Sequence, residues 1–290
     1  MSILITGANG QLGSEIRELV GTSQNRDADK YIFTDVQELD ITDQAAVRDF
    51  VRDNHVELLV NCAAYTAVDR AESDLGLCHR LNAEAPRLLA EAMESQQGAI
   101  IHVSTDYVFD GTAHTPYRED NATNPQTAYG RTKLLGEQAV AAACRSSVIL
   151  RTAWLYSAYG NNFVKTMLRL GREREQLGVI YDQIGTPTYA RDLAAAILHI
   201  AERGIVPGTY HYTNEGATSW YDFTRAIHHI AGITGCNVRP LHTEEYPTPA
   251  ARPHYSVLDK TKFKDTYNVE IPWWYDSLED CIHRLENAEP

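Results

Sequence analysis

Tyr129 and Lys133 lie four residues apart in the segment Tyr-Gly-Arg-Thr-Lys, a spacing that places both side chains on one face of a helix. A nearby ammonium favours the ionised form of a phenol, so we expect Lys133 to lower the pKa of Tyr129. Such a tyrosine can donate a proton to a carbonyl oxygen at neutral pH. The pair predicts proton donation to a carbonyl during its reduction.

A glycine-rich segment near the amino terminus supplies the second half of this chemistry. Gly7, Gly10 and Gly13 follow an apolar strand and precede a helical stretch. The first glycine lets the chain turn, the second lets backbone approach a phosphate, and the third lets the helix pack on the strand. The start of that helix then offers N–H groups to a pyrophosphate. With the Tyr–Lys pair, this segment predicts hydride transfer from a nicotinamide dinucleotide; a purely structural turn is the alternative.

Asp35 ends the second predicted strand, 22 positions after Gly13. An acid at this place commonly binds the ribose hydroxyls of the cofactor and repels a 2′-phosphate. Asp35 therefore favours NADH, with NADPH and a merely solvated aspartate left open. Further candidates at strand ends or turns, expected to flank the adenine and the nicotinamide ribose, are Asp40, Ile41, Ala63, Ala64, Tyr65 and Thr66.

The elements that must position these residues alternate between strand and helix in the first half of the chain. Apolar runs predict strands at 3–6, 31–35, 57–61, 99–104 and 147–152, and helical patterns predict helices at 12–20, 43–53, 75–95 and 128–143. This alternation predicts an α/β fold with a doubly wound parallel sheet of the Rossmann type.

The second half of the chain is less regular. We predict helices at 162–174, 189–202 and 220–231, strands at 179–181 and 210–212, and a proline-containing loop at 240–253. Residues 1–155 are expected to form a dinucleotide-binding domain to which some later segments return. Residues 156–290 are expected to form mainly a smaller substrate-binding lobe over the carboxyl edge of the sheet.

Composition and charge exclude several classes of partner. The net charge of −13 argues against a nucleic-acid partner, whose phosphates would be repelled. No apolar run reaches the roughly 18 residues of a membrane helix, and no targeting segment is recognised. The five cysteines lack a Cys-x-x-Cys motif and are interpreted as reduced thiols of a cytoplasmic protein. The histidines show no metal-ligand spacing.

Ser104 to Gly111 follow the fourth predicted strand, and Thr105 completes a Thr/Tyr/Lys set. This set and the glycine loop resemble those of the extended short-chain dehydrogenase/reductase superfamily. Within that superfamily the chain is similar to the dTDP-4-dehydrorhamnose reductases, from residue 3 to about residue 258. The segments that carry this resemblance are 61–69, 104–111, 151–156, 160–163 and 249–253.

The resemblance implies reduction of the C4 ketone of dTDP-4-dehydro-β-L-rhamnose to dTDP-β-L-rhamnose with NADPH or NADH. In that reaction Tyr129 would protonate the C4 oxygen, Lys133 would bind the ribose hydroxyls, and Thr105 would position the carbonyl. Asp106 and Trp154 would contact the sugar; a turn cap and a core residue are the alternatives. The implied dinucleotide contacts are Gly10, Gln11, Leu12, Asp40, Ile41, Ala64, Tyr65 and Thr66.

Arg252 is a candidate for the substrate diphosphate, because a guanidinium can bind phosphate through two hydrogen bonds. A surface salt bridge is the competing interpretation. Some members of the family bind Mg²⁺ between subunits through three glutamates. Glu15 matches one of them, but the second position falls at Arg191, where a cation would repel the metal. We therefore predict no metal site, while a homodimer through another surface stays open.

Two other interpretations remain. One is another nucleotide-sugar reductase or an epimerase of the same superfamily; a dehydratase is disfavoured because Tyr107 follows Thr105 and Asp106 where dehydratases have glutamate. The other is a non-catalytic dinucleotide-binding regulatory subunit. The complete Thr/Tyr/Lys set favours an enzyme, and turnover of NADH with a ketosugar nucleotide would separate these alternatives.

Overall fold

Six parallel strands form the central sheet of the protein, in the order β10-β5-β4-β3-β1-β2. The structure is a computed structural model that describes residues 2–24 and 26–288. Its strands are β1 (Ser2–Thr6), β2 (Tyr31–Thr34), β3 (Val56–Asn61), β4 (Ala99–Thr105), β5 (Ser147–Thr152), β6 (Leu155–Tyr156), β7 (Gln176–Ile180), β8 (Ile184–Gly185), β9 (Thr188–Tyr189), β10 (Gly208–His211), β11 (Thr218–Ser219) and β12 (Asn237–Leu241).

Helices cover both faces of this sheet. The α-helices are α1 (Gln11–Gly21), α2 (Gln44–Asp53), α3 (Val68–Ala71), α4 (Leu75–His79), α5 (Ala85–Ser95), α6 (Ala128–Ala143), α7 (Phe163–Glu173), α8 (Ala190–Arg203), α9 (Trp220–Ile230), α10 (Thr261–Tyr267) and α11 (Trp274–Ala288). Short 3₁₀ helices span Ala28–Lys30, Asp106–Val108 and Thr243–Glu245, and a π-helical turn spans Arg80–Glu84.

The two faces of the sheet are packed by different groups of helices. One core joins Ile16 of α1 and Ile197 of α8 to the strands. The other joins Val51 of α2, Leu89 of α5 and Val140 of α6 to the opposite face. Parallel strands buried on both faces are the signature of a doubly wound fold, so the predicted fold class is confirmed.

The strand order reverses direction between β1 and β3, because the chain moves from β1 outward to β2 and then returns to the other side of β1. In open α/β sheets ligands bind at such a switch point, beyond the carboxyl ends of the strands. The segment after β1 carries the glycine loop and the segment after β3 carries Ala63 and Ala64. This topology explains why segments distant in sequence share one cleft.

A smaller lobe is built from the second half of the chain. Its core contains Val164 of α7, Phe223 of α9 and Leu278 of α11, packed around the parallel pair β7 and β12. Within the same half, α8, β10 and α10 belong to the central sheet and its core. The division into two domains with a boundary at residue 155 stays a prediction.

The predicted helix over 75–95 contains a π turn that the sequence pattern does not reveal. Pro86 has no N–H group, so it cannot donate the regular helical hydrogen bond to the carbonyl of Asn82. That carbonyl instead points at α6, where a Cβ added to Gly136 would lie 2.1 Å from it. Glycine at 136 therefore permits the close approach of α6 to the π turn. Such π turns inside α-helices are frequent at functional sites.

Helices α10 and α11 and the short strands β6, β8, β9 and β11 were not predicted. A signal for α11 exists, since Trp274, Leu278 and Ile282 recur every four residues and are buried. The short strands have only two residues each. Pairs of this length have no periodicity of their own and form where tertiary packing brings them together. Within the described residues, no helix is long and apolar enough to cross a bilayer.

Candidate active site

The glycine loop is shaped by close backbone contacts that only glycine permits. Gly7 has a φ of 66°, in the left-handed region, and a Cβ there would lie 2.7 Å from the amide nitrogen of Ala63. A Cβ on Gly13 would lie 2.5 Å from the Gly7 carbonyl oxygen. Because Gly10 precedes α1, the loop brings the positive N-terminus of that helix to the cleft. This cradle fits the pyrophosphate of a dinucleotide.

A cleft of about 900 Å³ runs along the carboxyl edge of the sheet, at the upper end of the usual size of ligand sites. It brings together most of the residues predicted from the sequence. Its predicted lining residues are Gly7, Gly10, Gln11, Leu12, Gly13, Asp35, Asp40, Ile41, Ala63, Ala64, Thr66, Thr105, Asp106, Tyr129, Lys133 and Trp154.

Tyr65, a predicted cofactor contact, does not line the cleft, and its backbone is held by Asn82. Its N–H donates to Oδ1 of Asn82 at 2.8 Å, and its carbonyl accepts from Nδ2 of Asn82 at 3.1 Å. Its hydroxyl lies 3.5 Å from Oδ2 of Asp74. Asn82 therefore fixes the segment after β3 from the π turn, a role that the sequence did not indicate.

Thr105 is the last residue of β4, and its hydroxyl is part of a short hydrogen-bonded chain. Oγ1 donates to Oδ1 of Asp106 at 3.0 Å and accepts from the N–H of Tyr107 at 3.2 Å. The same hydroxyl favours the ionised form of the Tyr129 phenol. The predicted carbonyl-positioning residue at the end of β4 therefore interacts electrostatically with the predicted proton donor on α6.

The pKa of Tyr129 differs from the sequence-based expectation. Burial raises the pKa above its ordinary value, and the Thr105 hydroxyl offsets only part of that rise. The expectation that Lys133 lowers the pKa of Tyr129 is therefore wrong for this structure. The physical reason is that the loss of water around the buried phenol outweighs favourable interactions with its ionised form. At neutral pH Tyr129 keeps its proton, as a proton donor requires.

Lys133 is one of the largest fully buried side chains of the protein. Its ammonium donates to the carbonyl oxygen of Val103 at 2.7 Å. Burial lowers the pKa of Lys133 to about 8, although Glu137 one turn further along α6 opposes that change. Glu137 is itself paired with Arg151, with 2.7 Å between Oε2 and Nη2. Lys133 is thus mostly protonated at pH 7 and held at the floor of the cleft.

Asp106 is a buried carboxyl group beside Thr105. Burial raises its pKa to about 6, and the nearby hydroxyls of Ser256 and Thr105 offset part of the rise. Its second oxygen, Oδ2, has no regular hydrogen-bond partner among residues 2–24 and 26–288. A free acceptor on the cleft wall can bind a sugar hydroxyl. Ser256 lies three residues after the proline-containing loop at 240–253, and the sequence did not indicate a role for it.

Trp154 lies in the cleft wall with a strained backbone. Its φ is 49°, which is rare for an aromatic residue. The indole stacks on Trp220 with 3.5 Å between ring centroids, and a Cβ on Gly185 would lie 2.6 Å from it. Backbone strain of this kind is concentrated at functional sites. The stacking of Trp154 on Trp220 of α9 was not predicted from the sequence.

The two acidic cofactor candidates make local contacts. Asp35 accepts from the N–H of Asn9 at 3.1 Å and from the N–H of Val36 at 2.8 Å. Asp40 accepts from the hydroxyl of Thr42 at 2.7 Å and from its N–H at 2.9 Å. These two hydrogen bonds hold the pKa of Asp40 below its ordinary value. Both carboxylates are therefore fixed in place on the cleft wall.

Arg252 lies beside a small cavity that it shares with Tyr107. Its Nη2 is 2.7 Å from Oδ2 of Asp69, and its Nη1 donates to the carbonyl of Ala250 at 3.0 Å. The salt bridge that competed with the diphosphate interpretation is present. It connects α3 to the loop at 240–253.

Two arginines surround the glutamate that matches the family's metal ligand. Glu15 is fully buried. Nη1 of Arg191 lies 3.3 Å from its Oε2, and Nη1 of Arg284 lies 3.1 Å from both of its oxygens. The same arginines pair with Glu18 at 2.7 Å each. Two positively charged guanidiniums beside Glu15 are incompatible with a divalent cation, which needs oxygen ligands. The pairing of Arg284 with Glu15 and Glu18 was not predicted from the sequence.

Comparisons with known proteins agree on one family. The family model described as RmlD substrate binding domain matches residues 1–287. A curated relative from Streptomyces antibioticus, a probable dTDP-4,6-dihydroxy-2-methyloxan-3-one 4-ketoreductase, is 41% identical over 100% of this chain and 97% of its own length.

Two solved structures are similar over the whole chain. A dTDP-4-dehydrorhamnose reductase from Clostridium acetobutylicum is 46% identical with a TM-score of 0.94, covering 99% of this chain and 100% of that one. A dTDP-4-dehydrorhamnose reductase from Bacillus anthracis, in complex with NADP, is 38% identical with a TM-score of 0.91, covering 98% of this chain and 100% of that one.

Proposed function

The chain belongs to the RmlD substrate binding domain family, and we propose that it reduces the C4 ketone of dTDP-4-dehydro-β-L-rhamnose to dTDP-β-L-rhamnose. The cofactor is NADPH or NADH. One observation carries this proposal: Thr105, Tyr129 and Lys133 line the same cleft as the glycine loop. A proton donor, a carbonyl-binding hydroxyl and a dinucleotide cradle are the groups that this reduction needs.

When bound, the reduced nicotinamide supplies the hydride that C4 of the sugar receives. Tyr129 donates its phenolic proton to the C4 oxygen, which is the oxygen of the ketone in the substrate. Its raised pKa keeps the phenol protonated until that oxygen gains negative charge. Lys133, with a pKa of about 8, supplies a positive charge at the floor of the cleft and hydrogen bonds to the ribose hydroxyls.

Thr105 and Asp106 orient the ketone and the sugar. The Thr105 hydroxyl donates to Asp106 and lines the same cleft as Tyr129, so it is available to the carbonyl oxygen that the proton donor serves. Asp106 offers its free oxygen to a sugar hydroxyl next to C4. Trp154 covers the sugar from the side, supported by Trp220.

Arg252 is the candidate for the diphosphate of the substrate. In this structure it is bound to Asp69, with both side chains partly exposed. Such a pair contributes little to stability. Arg252 can therefore leave Asp69 and bind a phosphate group of the substrate with little loss of free energy. The neighbouring cavity, lined by Tyr107, Gln126 and Pro253 among others, gives room for this change.

A second candidate function is reduction of a different dTDP-4-ketosugar. The Streptomyces antibioticus relative, 41% identical, carries the name of a ketoreductase for such a compound. An epimerase or a regulatory subunit has no comparable observation in its favour. A panel of dTDP-4-ketosugars would rank the two reductase functions by kcat/KM.

The test is turnover by the purified full-length protein. dTDP-4-dehydro-β-L-rhamnose is mixed with NADPH or NADH, oxidation of the cofactor is followed by absorbance, and the product is identified by NMR. We expect stoichiometric formation of dTDP-β-L-rhamnose. Tight cofactor binding without oxidation would point to the regulatory alternative, and a product with the opposite configuration at C4 would point to another reductase.

We place the reaction in the cytoplasm, because the five cysteines are unpaired and four of them are buried. A homodimer is the proposed assembly, and it would not use Glu15 and a shared metal. Size-exclusion chromatography with light scattering gives the oligomeric state directly.

A further inference from the structure

Arg17 is an exposed arginine of α1 that contacts Asn9, and the N–H of Asn9 is bonded to Asp35 on the cleft wall. Nη1 and Nη2 of Arg17 are 3.4 and 3.5 Å from Oδ1 of Asn9. Its guanidinium carbon lies 5.0 Å from the centre of the Phe33 ring. These contacts are with neutral groups, and the two hydrogen bonds are at the outer limit of length. The stem of Arg17 is therefore positioned while its donors are only weakly engaged.

Asn9 links this arginine to the acid that meets the ribose. The N–H of Asn9 donates to Oδ2 of Asp35 at 3.1 Å, while its side-chain oxygen accepts from Arg17. Phe33 and Asp35 are two positions apart along β2 and its end, so they share a face and are separated by about 7 Å. The guanidinium over Phe33 is thus separated by one residue, Asn9, from the carboxylate of Asp35 on the cleft wall.

The two charges select different forms of the adenosine ribose. A free 2′,3′-diol donates hydrogen bonds to a carboxylate, which suits Asp35. A 2′-phosphate is repelled by that carboxylate and attracted by a guanidinium, which can form two charge-assisted hydrogen bonds with it. The side chain of Val36, which follows Asp35 and lines the cleft, is 69% exposed, so this edge of the cleft is open to solvent.

We propose that Arg17 is the residue that admits the 2′-phosphate of NADPH beside Asp35, so that this protein accepts both NADPH and NADH. The inference rests on the proposed function only for the use of a nicotinamide dinucleotide. It assigns the difference in affinity between ligands with and without the 2′-phosphate to one exposed arginine of α1.

The experiment compares two adenosine ligands that differ only in that phosphate, adenosine 2′,5′-bisphosphate and adenosine 5′-monophosphate. Their affinities are measured by calorimetry on the full chain, for wild type, Arg17→Gln and Arg17→Lys. Arg48→Gln is the matched control, because Arg48 is an exposed arginine of α2 and the change removes the same charge. Circular dichroism and thermal unfolding establish that each variant is folded.

Arg17→Gln is expected to weaken the bisphosphate about 10- to 100-fold, the loss of charged hydrogen bonds, and the monophosphate by no more than about twofold. Arg17→Lys should fall between wild type and Arg17→Gln, and Arg48→Gln should match wild type. Equal losses for both ligands, or no loss for either, would overturn the assignment. So would wild type that binds neither ligand.

The same variants are then assayed for kcat/KM with NADPH and NADH. Selective loss with NADPH supports the role of Arg17 in turnover. If the wild type binds both adenosine ligands with the expected selectivity but reduces no ketosugar, the proposed function fails while the assignment of Arg17 stands.

Discussion

The ammonium of Lys133 donates a hydrogen bond to the carbonyl of Val103, 2.7 Å away, although Lys133 lies one helical turn from Tyr129. The lysine is therefore fixed by β4, and the phenol is tuned mainly by burial and by Thr105. This arrangement separates two roles. Tyr129 stays protonated at neutral pH, and Lys133 provides a positive charge in a fixed position. Mutations of the two residues should consequently differ in effect.

Tyr129→Phe keeps the ring and removes the proton donor. We expect turnover to fall at least roughly 100-fold, the usual contribution of a general acid, with the fold intact. The ring contact with Tyr107, at 5.5 Å between centroids, should survive and keep the variant folded. Steady-state kinetics beside circular dichroism checks this. Near-normal turnover would remove Tyr129 from the reaction.

Asp106→Asn should change the pH dependence of stability. Burial raises the pKa of Asp106 to about 6, so the folded state binds this proton more tightly than the unfolded chain does. The stability that this group contributes is present below its unfolded pKa and is lost as pH rises through about 6. Between pH 5 and pH 8, the variant should gain roughly 1 kcal/mol relative to wild type.

The measurement for Asp106 is urea unfolding at the two pH values. Asp110→Asn is the control, because hydrogen bonds lower the pKa of Asp110 and its contribution is constant above pH 5. A difference between Asp106→Asn and wild type that does not change with pH would contradict the role of the buried charge. Turnover of Asp106→Asn should fall at both pH values.

Asp35→Ala should shift cofactor choice toward NADPH. The wild type is expected to use NADH at least as well as NADPH, because a carboxylate at the end of the second strand favours a ribose diol and repels a 2′-phosphate. The variant loses both effects, so the ratio of kcat/KM for NADPH over NADH should rise roughly 10-fold. Asp53→Ala, at an exposed site on α2, is the control. A strong wild-type preference for NADPH would mean that Asp35 does not contact the ribose.

Activity and assembly should not require Mg²⁺. Arg191 and Arg284 already neutralise Glu15 and Glu18, and guanidiniums stay charged at any workable pH. Dialysis against EDTA should leave turnover and size in solution unchanged, and added Mg²⁺ should have no effect. A reversible loss of activity or of oligomer on chelation would mean that other carboxylates form a metal site.

Arg284→Gln should destabilise the protein by about 2 kcal/mol, because it removes one of the two guanidiniums that pair with the buried Glu15. The carboxylate keeps the hydrogen bond from Ser157 and the longer contact to Arg191. Arg52→Gln provides the control, since Arg52 pairs with Asp49 and Asp53 on the exposed face of α2 and such pairs contribute little. Urea unfolding measures both. Equal stability of the two variants would show that Arg284 is dispensable.

The sequence alone determined the fold class and most of the cleft, because those features depend on local patterns. Alternating strands and helices require a parallel sheet, and the glycine loop and the Tyr129–Lys133 pair have fixed spacing within one element. All carboxyl ends of parallel strands meet at one edge. The sequence therefore predicts that the residues after β1, β3 and β4 share a site.

Tertiary structure alone decided the electrostatics and the long-range partners. Whether Lys133 or burial governs the pKa of Tyr129 depends on how much water the packed lobe excludes, which no spacing encodes. The contacts of Glu15 with Arg284 and of Trp154 with Trp220 join residues far apart in the chain. Their partners become neighbours only when the second half of the chain folds over the edge of the sheet, because side-chain contacts depend on distance in space and not on separation in sequence.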